Sequence, residues 1–201
     1  MGRTAQISKE ELLSAGVRII VKQGYSAITV KSLAQEVGCS TQPVLWHFGN
    51  MESFRKQLAP FALQYLLNKM NLPTQSAMQA FGFVGLAWLD TAIDEPNLLS
   101  YLFSTDLYSQ QDFCINKVLN NDETDELAQS ISKQLGCEVS VVNRIMMTLE
   151  LFTLGMMNVL LRKNVQLTKQ QAHSFLRDVA ITQMVGIGVD REVAESFLLK
   201  A

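Results

Sequence analysis

The stretch TVKSLAQEVGCSTQPVLWHF, residues 29–48, decides the fold of this 201-residue chain. Thr29 is suited to cap one short helix, and Ser40 to cap a second helix that ends near Phe48. Gly38 lies between them, where a tight turn needs the left-handed backbone that glycine adopts at little cost. Two short helices separated in this way predict a helix-turn-helix.

The rest of the chain is predicted to be helical as well. No proline follows position 96, and no Asn-Gly or Asp-Gly pair indicates a β-hairpin. The first helix ends at Gly24, and Pro60 is expected to kink or interrupt a fourth helix. The predicted helix starts are the capping boxes Ser8-x-x-Glu11 and Thr168-x-x-Gln171, together with Asn50, Thr74, Asp94-Glu95-Pro96, Ser109, Asp122 and Asp190.

Charge is distributed unevenly along the chain. The net charge is -2, which excludes a uniformly basic nucleic-acid-binding coat. Residues 1–60 contain seven basic and four acidic residues, so this part is +3 and the remainder is -5. The apolar stretch 80–89 is far shorter than the roughly 20 residues that span a membrane. We therefore expect a soluble, cytoplasmic protein.

A longer pattern surrounds the helix-turn-helix. It runs Gly24-Tyr25-x-x-Ile28-Thr29-Val30-x-x-Leu33-Ala34-x-x-Val37-Gly38-Cys39-Ser40 and then Val44-Leu45-Trp46-His47-Phe48-Gly49-Asn50-Met51-Glu52. This pattern resembles the tetracycline-repressor (TetR) family of transcriptional regulators over about residues 8–55. The resemblance implies an all-α chain with a three-helix DNA-binding domain at residues 1–50. A helical effector-binding and dimerisation domain would follow at 51–201.

The resemblance also implies roles for individual residues. Thr29 would contact a DNA phosphate at a helix N-terminus, and Lys31 would face the DNA. Thr41 and Gln42 would contact base edges in the major groove, since glutamine can pair with adenine through two hydrogen bonds. Trp46 and His47 would lie near the DNA backbone or pack internally. The predicted DNA-binding residues are Thr29, Lys31, Ser40, Thr41, Gln42, Trp46 and His47.

Two positions depart from the family pattern. Leu45 stands where tyrosine is usual, and Met51 stands where lysine is usual. Both of the usual residues meet phosphate, and phosphate contacts supply much of the affinity for DNA. An alternative function therefore stays open: a helical small-molecule-binding or enzymatic protein that has lost DNA binding.

The acidic remainder contains a helix that is apolar on nearly all sides, at about residues 139–162. Such a helix must be covered on more than one side. The resemblance implies a homodimer formed by the last two long helices, about 139–163 and 169–187. A small, largely apolar effector is expected in this domain. Glu150 lies among methionines, where it would either orient a cationic or hydrogen-bonding ligand or be a solvated or internally paired carboxylate. The candidate ligand-binding residues are Phe81, Trp88, Phe103, Phe113, Met147 and Glu150.

Catalytic and metal-binding patterns are absent from the sequence. It has two histidines and none of the GxSxG, Walker, HExxH or GxGxxG motifs. The spacing of Cys114, Cys137 and His173 gives no metal-site signal. We therefore predict no enzyme, no metal and no cofactor. The leading hypothesis is a repressor that a small-molecule effector releases from a palindromic operator.

Overall fold

In a computed structural model, the chain is described over residues 7–70, 77–105, 125–162 and 165–198, with backbone only at 77–81 and 197–198. Every regular element in these residues is a helix, which confirms the predicted all-α fold. Contacts divide the described residues into two compact units. The first comprises residues 7–69 and 95–105, and the second comprises most of the rest.

The first unit contains five α-helices and one 3₁₀ turn, Tyr25–Ala27, between the first two helices. It combines the predicted 1–50 region with two helices from beyond that region. The helices are α1 Lys9–Gln23, α2 Val30–Val37, α3 Gln42–Phe48, α4 Met51–Met70 and α6 Pro96–Phe103.

Helix α1 occupies the centre of the first unit. Ser8 Oγ accepts a hydrogen bond from the Glu11 amide at 3.0 Å, and Gly24 ends the helix with a φ of 84°. Helices α2 and α6 both pack against α1. The predicted apolar face of α1 is fully buried, and it consists of Leu12, Ala15, Ile19 and Ile20.

Helix α4 begins after Asn50, whose Oδ1 accepts a hydrogen bond from the Ser53 amide at 2.8 Å. The helix is continuous through Pro60, so the expected interruption does not occur. Proline has no amide hydrogen, and the Lys56 carbonyl therefore lacks its usual helical donor. A proline inside a helix is tolerated where packing holds both halves, and Leu58 and Ala62 are both fully buried.

Helix α6 belongs to the first unit because it is fastened to α1 and to the 3₁₀ turn. Asn97 Nδ2 donates to the Val21 carbonyl at 3.1 Å. The rings of Tyr101 and Tyr25 stack with centroids 4.7 Å apart, and burial raises the pKa of the Tyr101 hydroxyl. Glu95, buried at the start of α6, forms an ion pair with Lys69 near the end of α4.

The second unit is a helical bundle in which α5 (Ala77–Asp94) and α8 (Val139–Leu161) have the most extensive mutual contact. A buried apolar cluster joins its later helices: Ala128, Ile131, Val142, Met146, Ala180, Ile181, Met184 and Ala194. The helices are α5 Ala77–Asp94, α7 Glu126–Leu135, α8 Val139–Leu161, α9 Lys169–Gly186 and α10 Arg191–Leu198.

Two side-chain pairs join α5 to α9. His173 Nε2 lies 2.7 Å from Asp90 Oδ1, and Lys169 Nζ lies 2.5 Å from Asp94 Oδ2. Because both pairs use positions four residues apart, they fix the register of the two helices. Gly85 brings α5 close to α9, since a Cβ built there would lie 2.9 Å from Leu176 Cδ2.

The helix starts predicted in the second half are partly confirmed. Thr168 and Gln171 form the predicted capping box, and Asp190 Oδ1 accepts from the Glu192 amide at 2.8 Å. Helix α7 begins after Asp125, whose side chain caps it. The starts predicted at Thr74, Ser109 and Asp122 lie outside the described residues.

We expect Gly16→Ala to lower the free energy of unfolding by about 1–3 kcal/mol. A Cβ at this position in α1 would lie 2.9 Å from both Leu58 Cδ1 and Phe54 Cζ, which are fully buried and have little room to move. The matched control is Gly186→Ala in α9, where a Cβ meets nothing within 4 Å. The control should be neutral or stabilise by up to about 1 kcal/mol. Urea denaturation tests both, and equal effects would contradict close packing at Gly16.

Candidate nucleic-acid interface

The turn between α2 and α3 has the predicted geometry. Gly38 has a φ of 70° and a ψ of 33°, the left-handed conformation that ends a helix. Its amide donates to the carbonyls of Ala34 and Gln35, and the Cys39 amide donates to Ala34 at 2.9 Å. These bonds satisfy the last carbonyls of α2 and reverse the chain within three residues.

The core of the helix-turn-helix is mostly as predicted. Leu33, Ala34, Val44 and Phe48 are buried, whereas Val30 and Val37 are half-buried. The Phe48 ring meets the Phe54 ring of α4 edge-to-face with centroids 4.9 Å apart. The Phe48–Phe54 contact therefore attaches the end of α3 to α4, and the opposite side of α3 faces solvent.

A carboxylate that the sequence analysis did not single out fixes α2 on α1. Glu36 Oε1 accepts from Arg18 Nε at 2.8 Å, and Lys22 Nζ lies 3.4 Å from the same oxygen. The hydrogen bond from Arg18 holds the pKa of the Glu36 carboxyl below its usual value, and the charge of Lys22 adds to this effect. The residues belong to different helices, so no local spacing in the sequence signals the cluster.

Thr29 caps α2 through a reciprocal pair of bonds. Its Oγ1 accepts from the Ser32 amide at 3.0 Å, and Ser32 Oγ accepts from the Thr29 amide at 2.9 Å. The Leu33 amide donates to the Thr29 carbonyl. Because the first amides of a helix have no partner within it, this cap leaves the amides of Val30 and Lys31 available to donate to an external partner. A phosphate oxygen is a suitable acceptor for them.

Helix α3 begins later than predicted, so the expected cap by Ser40 is wrong. The residue before the helix is Thr41, which has helical backbone angles and makes no capping side-chain bond. Pro43 occupies the second helical position and has no amide hydrogen, which removes one of the two donors that a capping oxygen usually serves. The exposed hydroxyls of Ser40 and Thr41 are thus not used in capping.

The predicted DNA-contacting side chains are largely exposed on this surface. Lys31, Thr41 and Gln42 are all exposed. Trp46 is 70% exposed and Leu45 is 47% exposed, which is unusual for apolar side chains in an ordered helix. His47 differs, because it is half-buried and its Nε2 lies 2.7 Å from the Ile7 carbonyl oxygen.

Most cations in this region are already engaged within the chain. Arg18 and Lys22 pair with Glu36, Lys56 pairs with Glu52, and Arg55 and Lys9 lie over the rings of Tyr25 and Phe48. Among described residues 7–60, Lys31 is the cation with no such contact. It is therefore the cation in this range that can approach a phosphate without breaking an internal interaction.

The predicted effector residues are divided between the two units. Phe103 is half-buried in the first unit, whereas Trp88, Met147 and Glu150 are half-buried in the second. Phe113 and the side chain of Phe81 lie outside the described residues. A cleft of about 330 Å³ lies among the ends of α7 and α9 and the start of α10. None of the described candidates Trp88, Phe103, Met147 and Glu150 lines it.

The weak metal candidates do not form a site in the described part of the chain. No group of three metal-ligating side chains occurs there. His173 pairs with Asp90, and burial raises the pKa of the Cys137 thiol, which disfavours the thiolate that binds metals. Cys114 lies outside the described residues.

Comparison with known proteins identifies the domain that contains this surface. Residues 12–58 match the family model described as bacterial regulatory proteins, tetR family. The N-terminal domain belongs to the TetR family. The chain is accordingly a DNA-binding transcriptional regulator, as the resemblance implied. No curated protein and no solved structure matches the chain.

We expect Glu36→Gln to lower the free energy of unfolding by about 0.5–1 kcal/mol at pH 7. The folded-state pKa of Glu36 is lowered, so its ion pairs stabilise the fold above the ordinary pKa of about 4.5 and are lost as the pH falls. The difference between variant and wild type should therefore shrink from pH 7 to pH 4. Glu52→Gln is the control, because the Glu52–Lys56 pair is fully exposed within one helix. Thermal unfolding at both pH values measures the stability of each variant relative to wild type. A difference between Glu36→Gln and wild type that does not change with pH would exclude the ion pairs of Glu36 as its cause.

Proposed function

We propose that this regulator is a homodimeric repressor that binds a palindromic operator and is released by a small-molecule effector. The observation that supports operator binding most directly is the solvent-exposed polar surface at the start of α3. There the side chains of Ser40, Thr41 and Gln42 are exposed and uninvolved in capping. A recognition helix contacts base edges with the residues of its first turn.

Each proposed DNA contact follows from the chemistry of the side chain. Gln42 offers a donor and an acceptor to adenine, and Thr41 offers a hydroxyl and a methyl group. Lys31 and the free amides at the start of α2 would bind phosphate. Trp46 would lie against sugar or a thymine methyl, where an exposed apolar ring loses water on binding.

A dimer is proposed from the exposed apolar faces of α8 and α9. Helix α8 is long and apolar enough to cross a membrane by length and composition alone, and it packs against α5, α7 and α9 within the second unit. Only 28% of its most apolar window is buried within the chain. Leu151 and Val159 on α8, and Phe175 and Val185 on α9, are each at least 42% exposed. A second copy covering these side chains would pair two recognition helices for the two half-sites.

Effector control is proposed for the second unit, whose half-buried Trp88, Met147 and Glu150 combine apolar surface with one carboxylate. An apolar pocket with few polar groups suits a small, largely apolar molecule. The effector would shift the population toward a conformer that does not fit the operator, by its preference for that conformer. Such a protein acts on chromosomal DNA in the cytoplasm, without a catalytic step.

Selection of bound duplexes from a random DNA pool, with full-length protein at near-physiological salt, tests this function. Enrichment of an inverted repeat supports operator binding by a dimer. A folded protein that enriches no sequence would overturn the proposal and favour a helical small-molecule-binding protein without DNA binding. Leu45 and Met51, at positions where the family usually has phosphate-binding residues, would then be the first residues to revert.

We expect Lys31→Ala to reduce the slope of log affinity against log salt by about 0.9 per half-site, since one phosphate contact is lost. Lys56→Ala is the control, because both lysines are exposed but Lys56 is paired with Glu52. Fluorescence anisotropy on the selected duplex between about 50 and 200 mM salt measures both slopes. Equal slopes for the two variants would contradict a phosphate contact by Lys31.

Phe175→Glu is expected to convert the dimer to a monomer, since it places a charge in the proposed apolar interface. Phe175 is 50% exposed within one chain, so the substitution should leave the fold of the monomer intact. Val193→Glu on α10 is the control, because Val193 is 45% exposed but lies outside α8 and α9. Sedimentation velocity separates the two species. A dimeric Phe175→Glu protein would place the interface elsewhere.

A further inference from the structure

Helix α3 exposes an apolar side chain among the polar ones of its first turn. At about 100° per residue, Leu45 lies between Thr41 and Gln42 around the helix axis, one turn further along. All three side chains are exposed, and that of Leu45 is 47% exposed. Trp46 follows on the far side of Gln42. Leu45 is therefore within the surface that would contact base edges, whereas Trp46 is at its margin.

The backbone of Leu45 is fixed in both directions along α3. Its amide donates to the Thr41 carbonyl at 3.4 Å, and its carbonyl accepts from the Gly49 amide at 2.8 Å. Val44 and Phe48, on the opposite side of the helix, are both buried. The position of the leucine is thus set before DNA binds, and this preorganisation lowers the entropy cost of a contact with DNA.

The chemistry of leucine limits its partner in the major groove. The side chain has no donor or acceptor, so placing it against a phosphate removes water from the anion without replacing the lost hydrogen bonds. The polar atoms of base edges would lose their water in the same way. The apolar group that a base edge presents in the major groove is the C5-methyl group of thymine. Contact between this methyl group and leucine removes apolar surface from water on both sides.

We propose that Leu45 is a specificity-determining residue that selects thymine at one position of each operator half-site, by contact with its C5-methyl group. This inference rests on the proposed operator binding and adds a requirement on the operator sequence. Leu45 follows Gln42 by three residues, which is about 4.5 Å along the helix axis. Because successive bases are about 3.4 Å apart, the thymine should lie within about two base pairs of the adenine that Gln42 contacts. Leucine in place of the usual tyrosine would thus exchange a phosphate contact for a base contact.

Replacing thymine with deoxyuridine in the selected duplex tests the inference, because it removes the C5-methyl group and keeps every hydrogen-bonding atom. Each thymine is replaced in turn, in both half-sites together, and fluorescence anisotropy measures binding by the full-length protein. We expect one replacement to weaken binding about 15-fold, or about fourfold per half-site, as the loss of one buried methyl group predicts. This position should lie within about two base pairs of the one at which Gln42→Ala relaxes the preference for adenine.

Leu45→Ala completes a cycle between protein and DNA. The variant should bind the original duplex more weakly than wild type does, and the critical deoxyuridine replacement should change its affinity less than about twofold. Its slope of log affinity against log salt should equal that of wild type, since no phosphate contact is lost. Trp46→Ala is the matched control: it also removes an exposed apolar side chain of α3, and it should keep the response of about 15-fold. Alanine favours helix at exposed positions, and the deoxyuridine series with wild-type protein tests the methyl contact even if a variant does not fold.

Three outcomes would overturn the role of Leu45. Equal binding of wild type to every deoxyuridine duplex would exclude a methyl contact. A response that persists in Leu45→Ala, or that disappears in Trp46→Ala, would assign the methyl contact to another residue. A selection that enriches no duplex overturns operator binding itself, whereas an enriched duplex without a response coupled to Leu45 overturns only the role of Leu45.

Discussion

The close approach of α1 and α4 at Gly16 is the constraint on which the DNA-binding surface depends. With no Cβ at this position, Phe54 and Leu58 of α4 come into contact with the backbone of α1. Phe54 in turn supports Phe48, and Phe48 holds the end of α3. Helix α3 has only seven residues and too few internal bonds to be stable alone, so its orientation comes from this stack of side chains.

Most cations around this core are engaged within the described part of the chain. Glu36 pairs with Arg18 and Lys22, and Glu52 pairs with Lys56. Two further cations, those of Lys9 and Arg55, lie over aromatic rings. Among described residues 7–60, Lys31 is the cation left without such a contact, and release of counterions by cations is the main source of non-specific affinity for DNA. Exposed Leu45 and Trp46 supply apolar contact area instead.

Local signals in the sequence predicted the local structure well, and they could not report contacts between distant segments. Gly38 forms the predicted turn, and Thr29 and Thr168 form the predicted helix caps. Ser40 was misjudged because a proline three residues later removes an amide that the cap would have served. The bonds from Arg18 to Glu36 and from His47 to Ile7 link residues far apart in sequence, and no spacing rule anticipates them.

The ligand-binding predictions rest on a different kind of signal. Aromatic residues at helical spacing identify apolar faces but not which faces enclose a common space. Trp88 and Phe103 are 15 positions apart in sequence, yet they belong to different compact units. Their grouping required knowledge of the tertiary fold, which composition does not provide.

The membership of α6 in the first unit has a consequence for synthesis of the protein. The Asn97–Val21 bond joins residues 76 positions apart, so α1 leaves the ribosome well before its partner is made. At roughly 5–20 residues per second, the delay is about 4–15 s. During this time the surface of α1 that later receives α6 is open to water and to other nascent chains. Chaperone binding to the unfinished chain would protect that surface, and a pause in translation before Pro96 would lengthen the exposure.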